Sequence, residues 1–283
     1  MKRTLAFLTA LILALVPTLG LAEIDQRASD LLHAMQKQVR ELENVTVEGT
    51  EVYTYTVGDA TQTAAYEYSM VFFHNPMIIH STFRLSGSSD PEAVMETYIL
   101  QQGDEVVIYS SNESAEMTKS FVKEIESHEL VPETMGEMDG WTYAIDYMVS
   151  AQVAGEEEIT VKGMVNDCIR VDIMVSAADM ADELVYNIGL ANPTLDDTWV
   201  KELETALANV EMPYSYWINK ETNMLVQYSF DNVPLTDVIN HLIPDELDMG
   251  YTVTDVQSVY HVVGINDAQE IMVPAKYITY NKN

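Results

Sequence analysis

Ser120 and Lys123 stand three residues apart in Ser120-Phe-Val-Lys123, a spacing at which a lysine can activate a serine for acyl transfer. That chemistry needs further partners. The only Ser-x-Asn, Ser110–Asn112, precedes the pair, no Lys-Thr-Gly follows it, and no Gly-x-Ser-x-Gly elbow occurs. A four-residue match without partners arises readily by chance, so no catalytic residue is assigned. The six histidines (His33, His74, His80, His128, His241, His261) are dispersed, with no His-x-x-x-His. His74 and His80 flank Asn75-Pro76 and could meet across a hairpin, but two ligands without a third donor make a poor zinc site. Asp196-Asp197 and the run Asp245-Glu246-Leu247-Asp248 could attract calcium. Neither follows the Asp-x-Asp-x-Asp-Gly loop, which favours helix-start charge or solvated loop. Cys168 is the only cysteine, so no internal disulfide is available. A buried, inert thiol is expected there, with Arg170 as its one nearby positive charge. No phosphate-cradling glycine motif is present. No metal and no cofactor are expected.

The elements that would position any site are strands. Val45, Val47, Tyr53, Tyr55 and Val57 alternate with Thr46, Glu48, Thr54 and Thr56. Tyr66, Tyr68, Met70 and Phe72 repeat the pattern at even positions, and Met77, Ile79, Phe83 and Leu85 at odd ones. Period-2 alternation of aromatic and β-branched residues gives strands one apolar face and one polar face. With strands at 93–100 and 106–110 the block predicts a five-strand meander. Its apolar face carries Tyr53, Tyr55, Tyr66, Tyr68, Met70, Phe72, Met77, Ile79 and Phe83, the candidate lining of an apolar cavity. Plain core packing is the alternative for each of these residues.

Ile24, Ala28, Leu31, Leu32, Met35, Val39 and Leu42 recur at helical spacing and predict an amphipathic helix beside the strands. Helices are also predicted over 114–127, 177–186 behind Ser176, 197–210 behind Asp196 or Asp197, and 236–242. Further strands are expected at 141–154, 159–165, 169–175, 214–219, 224–231, 251–263 and 270–279, with Glu156–Glu158 read as a solvated turn.

Residues 1–22 have the pattern of a secretory leader: Lys2 and Arg3, an apolar run from Leu5 to Val16, and Gly20-Leu21-Ala22 before Glu23. Cleavage after Ala22 is expected, an uncleaved anchor being the alternative, and residues 23–283 are read as one domain outside the cytoplasm. The formal charge of −31 argues against nucleic acid and anionic lipid surfaces, both of which call for a basic footprint. At 47% hydrophobic residues the chain has ample material for a core.

The order of elements, with Tyr214-Ser-Tyr-Trp-Ile-Asn219-Lys-Glu-Thr-Asn223-Met-Leu and the closing Ile271-Met-Val-Pro274-Ala-Lys-Tyr, resembles the LolA/LppX-like envelope lipoprotein superfamily. That resemblance implies an α+β fold in which a large, curved antiparallel sheet, an open half-barrel, wraps helices and leaves a cavity for acyl chains. Many relatives carry a lipid-anchor cysteine at the mature N-terminus, where this chain has Glu23. The expected function is non-enzymatic binding of a lipid or other apolar small molecule. The alternative is a structural or protein-interaction module of the cell envelope with a filled core. No docking surface for protein partners is legible.

Overall fold

Apolar alternation in the first half of the chain becomes a ladder of pairings. The computed structural model describes residues 24–87, 94–102, 105–111, 117–120, 142–180, 197–231, 233–242 and 252–272. The expected leader, Lys123, the acidic run 245–248 and the last expected strand from residue 273 onward lie outside them. Strands β1 (Asn44–Val57), β2 (Ala60–His74), β3 (Met77–Leu85), β4 (Val94–Gln102) and β5 (Glu105–Ser111) form the expected meander. Strand β6 (Met117–Ser120) adds to its edge. The second half supplies β7 (Met148–Val161), β8 (Met164–Ser176), β9 (Glu211–Asn219), β10 (Leu225–Asp231) and β11 (Thr252–Ile265). All join one open antiparallel sheet in the order β6-β5-β4-β3-β2-β1-β11-β10-β9-β8-β7. Strand β11 thus joins the two halves by pairing with both β1 and β10.

Helix α1 (Gln26–Arg40) is capped by Asp25, whose carboxylate accepts from the Arg27 and Ala28 amides, while Lys37 and Arg40 complement its C-terminal end. It buries Ala28, Leu32, Met35 and Val39 against Val45, Val47, Phe72, Val171 and Tyr216 on one face of the sheet. The Asp25 amide donates to the Ala151 carbonyl at 2.9 Å, which pins the helix start to β7. Helices α2 (Asp197–Leu207) and α3 (Val233–Leu242) pack on the same core, and the Trp199 indole N–H donates to the Leu242 carbonyl at 3.0 Å. The sheet therefore has a helix side and an outer side.

The sheet is strongly coiled. Four strands separate β1 from β7, so a flat sheet would hold them about 24 Å apart at about 4.8 Å per strand. Yet Lys162, at the tip of the β7–β8 hairpin, pairs with Glu48 of β1 at 3.0 Å. The hairpin end folds over the outer side and covers a small second cluster of Val161, Cys168, Trp217 and Val226.

Five sequence expectations need correction. The helix expected over 114–127 contains strand β6 instead: the edge of β5 offers a ladder, and helix propensity is worth less than pairing. Residues 143–147 form a 3₁₀ turn where a strand was expected, because Gln36 and Arg40 of α1 dock on its Asp146. Glu156–Glu158 lies within β7 and is not a turn. The Lys220 ammonium reaches Glu156 at 2.7 Å and the Trp217 indole N–H donates to Glu157 at 2.8 Å, so these acids have cross-strand partners. The reversal falls at Lys162-Gly163, whose φ values of 47° and 82° suit a two-residue hairpin and split the strand expected over 159–165. Residues 270–272, the described start of the strand expected over 270–279, are not in a strand.

Candidate ligand-binding site

Direct cross-strand partners share a face of a sheet. Tyr53 pairs with Ala64, Glu51 with Tyr66, Gly49 with Tyr68, Val47 with Met70 and Val45 with Phe72. In turn Tyr68 pairs with Phe83, Phe72 with Ile79 and His74 with Met77, and Tyr55 pairs with Gln62. All nine candidate residues therefore lie on the helix side. Their cover is graded. Phe72, Met77, Ile79 and Met70 are buried in the core near α1, whereas Tyr53, Tyr55, Tyr66, Tyr68 and Phe83 are only partly covered.

The surface extends further than the sequence expectation. Tyr214 and Tyr216 of β9, Tyr228 and Phe230 of β10 and Tyr260 of β11 continue it across the join between the two halves. Tyr66 stacks on Phe83 at 4.6 Å, and Tyr53 meets Tyr66 edge-on at 5.6 Å. Tyr228 stacks on Tyr260 at 4.7 Å, and Tyr68 meets Tyr260 edge-on at 5.6 Å. Offset and edge-on rings at these separations attract beyond their buried area. The even-position alternation of Tyr214, Tyr216, Tyr228 and Phe230 was available in the sequence.

Glu51 was also missed. It occupies an inward position of β1 among these rings, breaking the apolar run there. Tyr53 donates to it at 2.5 Å, and the Tyr260 hydroxyl donates to its other carboxylate oxygen. Burial, followed by the bond to Glu51, pushes the Tyr53 phenol well above its ordinary range. Burial and then the Glu51 charge do the same to Tyr260. Burial lifts Tyr68 and Tyr214 to about 12.

Among the described residues the chemical candidates do not assemble. His74 shares the helix side with Met77 while His80 pairs with Val71 on the outer side, so the two do not converge as a hairpin pair could. His80 instead stacks on Tyr98 at 4.3 Å. Among the described residues no group of three or more His, Cys, Asp or Glu side chains could hold a metal. Cys168 is buried, and burial raises its thiol to about 11. Arg170 is held by Asp172 at 2.7 Å and lies over the Trp217 ring at 5.2 Å. Ser120 ends β6, and Lys123, the other half of its Ser-x-x-Lys pattern, lies outside the described residues. Asp197 begins α2, the helix-start position expected for it.

Two hollows bounded by described residues have mixed polar and apolar linings. One, of about 490 Å³, lies between the curled hairpin tip and Glu48, Glu67, Ser69, Arg84 and His261. The other, of about 440 Å³, lies beside Gln152, Arg170, Asp172 and Ser215. Neither is the apolar cavity expected from the sequence.

No protein-family model and no curated protein matches the chain. Solved structures similar to it include LprF from Mycobacterium bovis, at 11% identity and TM-score 0.45, with 89% of this chain and 99% of that one covered. A DUF1329 family protein from Desulfovibrio piger is similar at 11% identity and TM-score 0.31, with 91% and 98% covered. A LolA superfamily protein from Nitrosomonas europaea follows at 10% identity and TM-score 0.23, with 88% and 96% covered. These likenesses extend over most of each chain. At these TM-scores none of these proteins decides what this one binds.

Proposed function

We propose that the protein is exported, is not an enzyme, and binds an apolar or lipid-like ligand against the helix side of its sheet. One observation carries this reading: the aromatic surface continues from the buried core at Phe72 and Met77 out to the half-covered Tyr53, Tyr55, Tyr66 and Phe83. A single helix is about 10 Å across, which spans only two or three strands of such a sheet. The remaining rings are amphipathic groups suited to an acyl or similar chain. The leader pattern at residues 1–22 supports export. Among the described residues no helix is long and apolar enough to cross a membrane.

Native mass spectrometry of the purified chain, with solvent extraction of whatever accompanies it, tests the reading. An added mass that extracts as an amphiphile is expected, on a chain beginning Glu-Ile-Asp. A protein that stays free of ligand and fails to take up N-phenyl-1-naphthylamine, a neutral apolar fluorophore, would leave the filled-core module as the answer.

A further inference from the structure

We propose that the ligand carries a cationic ammonium group, which seats beside Glu51 within the ring formed by Tyr53, Tyr66, Tyr68 and Tyr260. This deepens the reading of the helix side as a ligand site and rests on it. Among the described residues of β1 to β3 and β9 to β11, Glu51 is the only acid on that side. It lies in register between Tyr66 on β2 and Ser258 on β11, so neighbouring strands flank it on both sides.

Glu51 is partly covered, and a carboxylate drawn out of water is ordinarily compensated by a cation. Here the described partners of Glu51 are two phenol hydroxyls, and no described basic side chain pairs with it. Two hydroxyl donors use about half of the lone-pair sites of a carboxylate, which leaves acceptor capacity open. The rings supply the second element of recognition. An ammonium within about 6 Å of an aromatic face is attracted by the ring quadrupole, more strongly when both are out of water. Tyr66 stands opposite Glu51, and Tyr53 meets Tyr66 edge-on, so aromatic rings and a negative charge share one patch. The same patch repels anionic head groups, since nothing on it answers a phosphate or carboxylate. A long-chain amine or quaternary ammonium would lay its chain along the apolar surface toward Phe83 and place its head at Glu51.

The test compares dodecyltrimethylammonium, dodecyl maltoside and dodecyl sulfate, each below its micelle concentration, by displacement of N-phenyl-1-naphthylamine from the full chain. The cationic amphiphile should bind at least about tenfold more tightly than the other two at physiological salt. Glu51→Gln should remove most of that preference while fluorophore affinity is kept. Because the whole chain is acidic, Glu221→Gln, at an exposed turn, serves as the control for general charge and should keep the preference. Equal binding of all three amphiphiles, or a preference unchanged in Glu51→Gln, overturns the assignment and leaves the apolar site standing. No displacement and no fluorophore uptake at all defeats the underlying reading instead. Should Glu51→Gln fail to fold, Tyr66→Leu decides by the same measure: loss of the cationic preference supports the cage, and its retention overturns it.

Discussion

The Tyr260 ring lies flat across Gly49, its direct partner on the neighbouring strand, and fills the space that a side chain at 49 would occupy. A Cβ added at Gly49 would meet that ring and come within 2.7 Å of the Val259 carbonyl. The close approach also aims the Tyr260 hydroxyl at Glu51 and its ring edge at Tyr68. Gly49→Ala is therefore expected to destabilise the fold by about 1–3 kcal/mol through overpacking, read as a lowered urea midpoint. An unchanged midpoint would mean that the ring moves freely, and the join between the two halves would be looser than described.

Alkaline stability follows from the same rings. Tyr68 and Tyr214 titrate near 12 in the folded chain against an ordinary 10, chiefly because of burial, and Tyr53, Tyr228 and Tyr260 are displaced in the same direction. A folded value above the unfolded one means that the unfolded chain loses its protons first. The contribution is complete below pH 10 and is lost as pH rises from 10 toward 12. Urea midpoints should fall over that window, with tyrosinate absorbance rising together with unfolding. Tyrosinate appearing before unfolding would contradict the burial of these rings.

On the acid side the sign reverses. Burial lowers His74, His80 and His261 below the ordinary 6.5, with Glu96 opposing the effect at His80. Protonation then favours the unfolded chain, so their contribution holds above pH 6.5 and is lost as pH falls through the folded values. His80→Phe keeps an aromatic ring on Tyr98 and removes one of these sites. The decline of its melting temperature below pH 6.5 should be shallower than that of the parent chain, and parallel curves would rule out His80 as a contributor.

Legibility in the sequence tracked how local the deciding interaction is. Strands β1 to β5 and helix α1 were readable because alternation and helical stripe are properties of short windows, set by what each segment can bury. The β9–β10 turn was readable as well: Asn219 accepts from the Glu221 and Thr222 amides at 3.0 Å, and Asn223 takes the positive φ that asparagine tolerates. Strand β6 was not, because its pairing depends on the edge of β5 and not on its own composition. The three glutamates of β7 read as a solvated turn since their partners, Lys220 and Trp217, lie some sixty residues away. Glu51 was passed over for a related reason. In one strand it only interrupts the apolar run, and its setting appears once β11 brings Tyr260 alongside.

The graded cover of the helix side gives the last prediction. Met70 is 9% exposed, sits in the core cluster and accepts a weak hydrogen bond from the Tyr68 hydroxyl at 3.3 Å. Ala64 faces the same side at the opposite end, beside Tyr53, and is partly open. Tryptophan at either position adds similar bulk to one continuous surface, but the two sites answer differently. Met70→Trp should overpack the core and cost about 1–3 kcal/mol. Ala64→Trp should change stability by no more than about 0.5 kcal/mol, as at other partly open sites. If a ligand lies along the half-covered rings, Ala64→Trp should nevertheless weaken uptake of N-phenyl-1-naphthylamine several-fold, because the new indole occupies its path beside Tyr53. Thermal melts and fluorophore titrations of the two variants separate the outcomes. Loss of uptake in Ala64→Trp with an unchanged melt places the ligand at the open end. Uptake unchanged in Ala64→Trp would remove Tyr53 and its neighbours from the site, and the aromatic surface would then be core packing throughout.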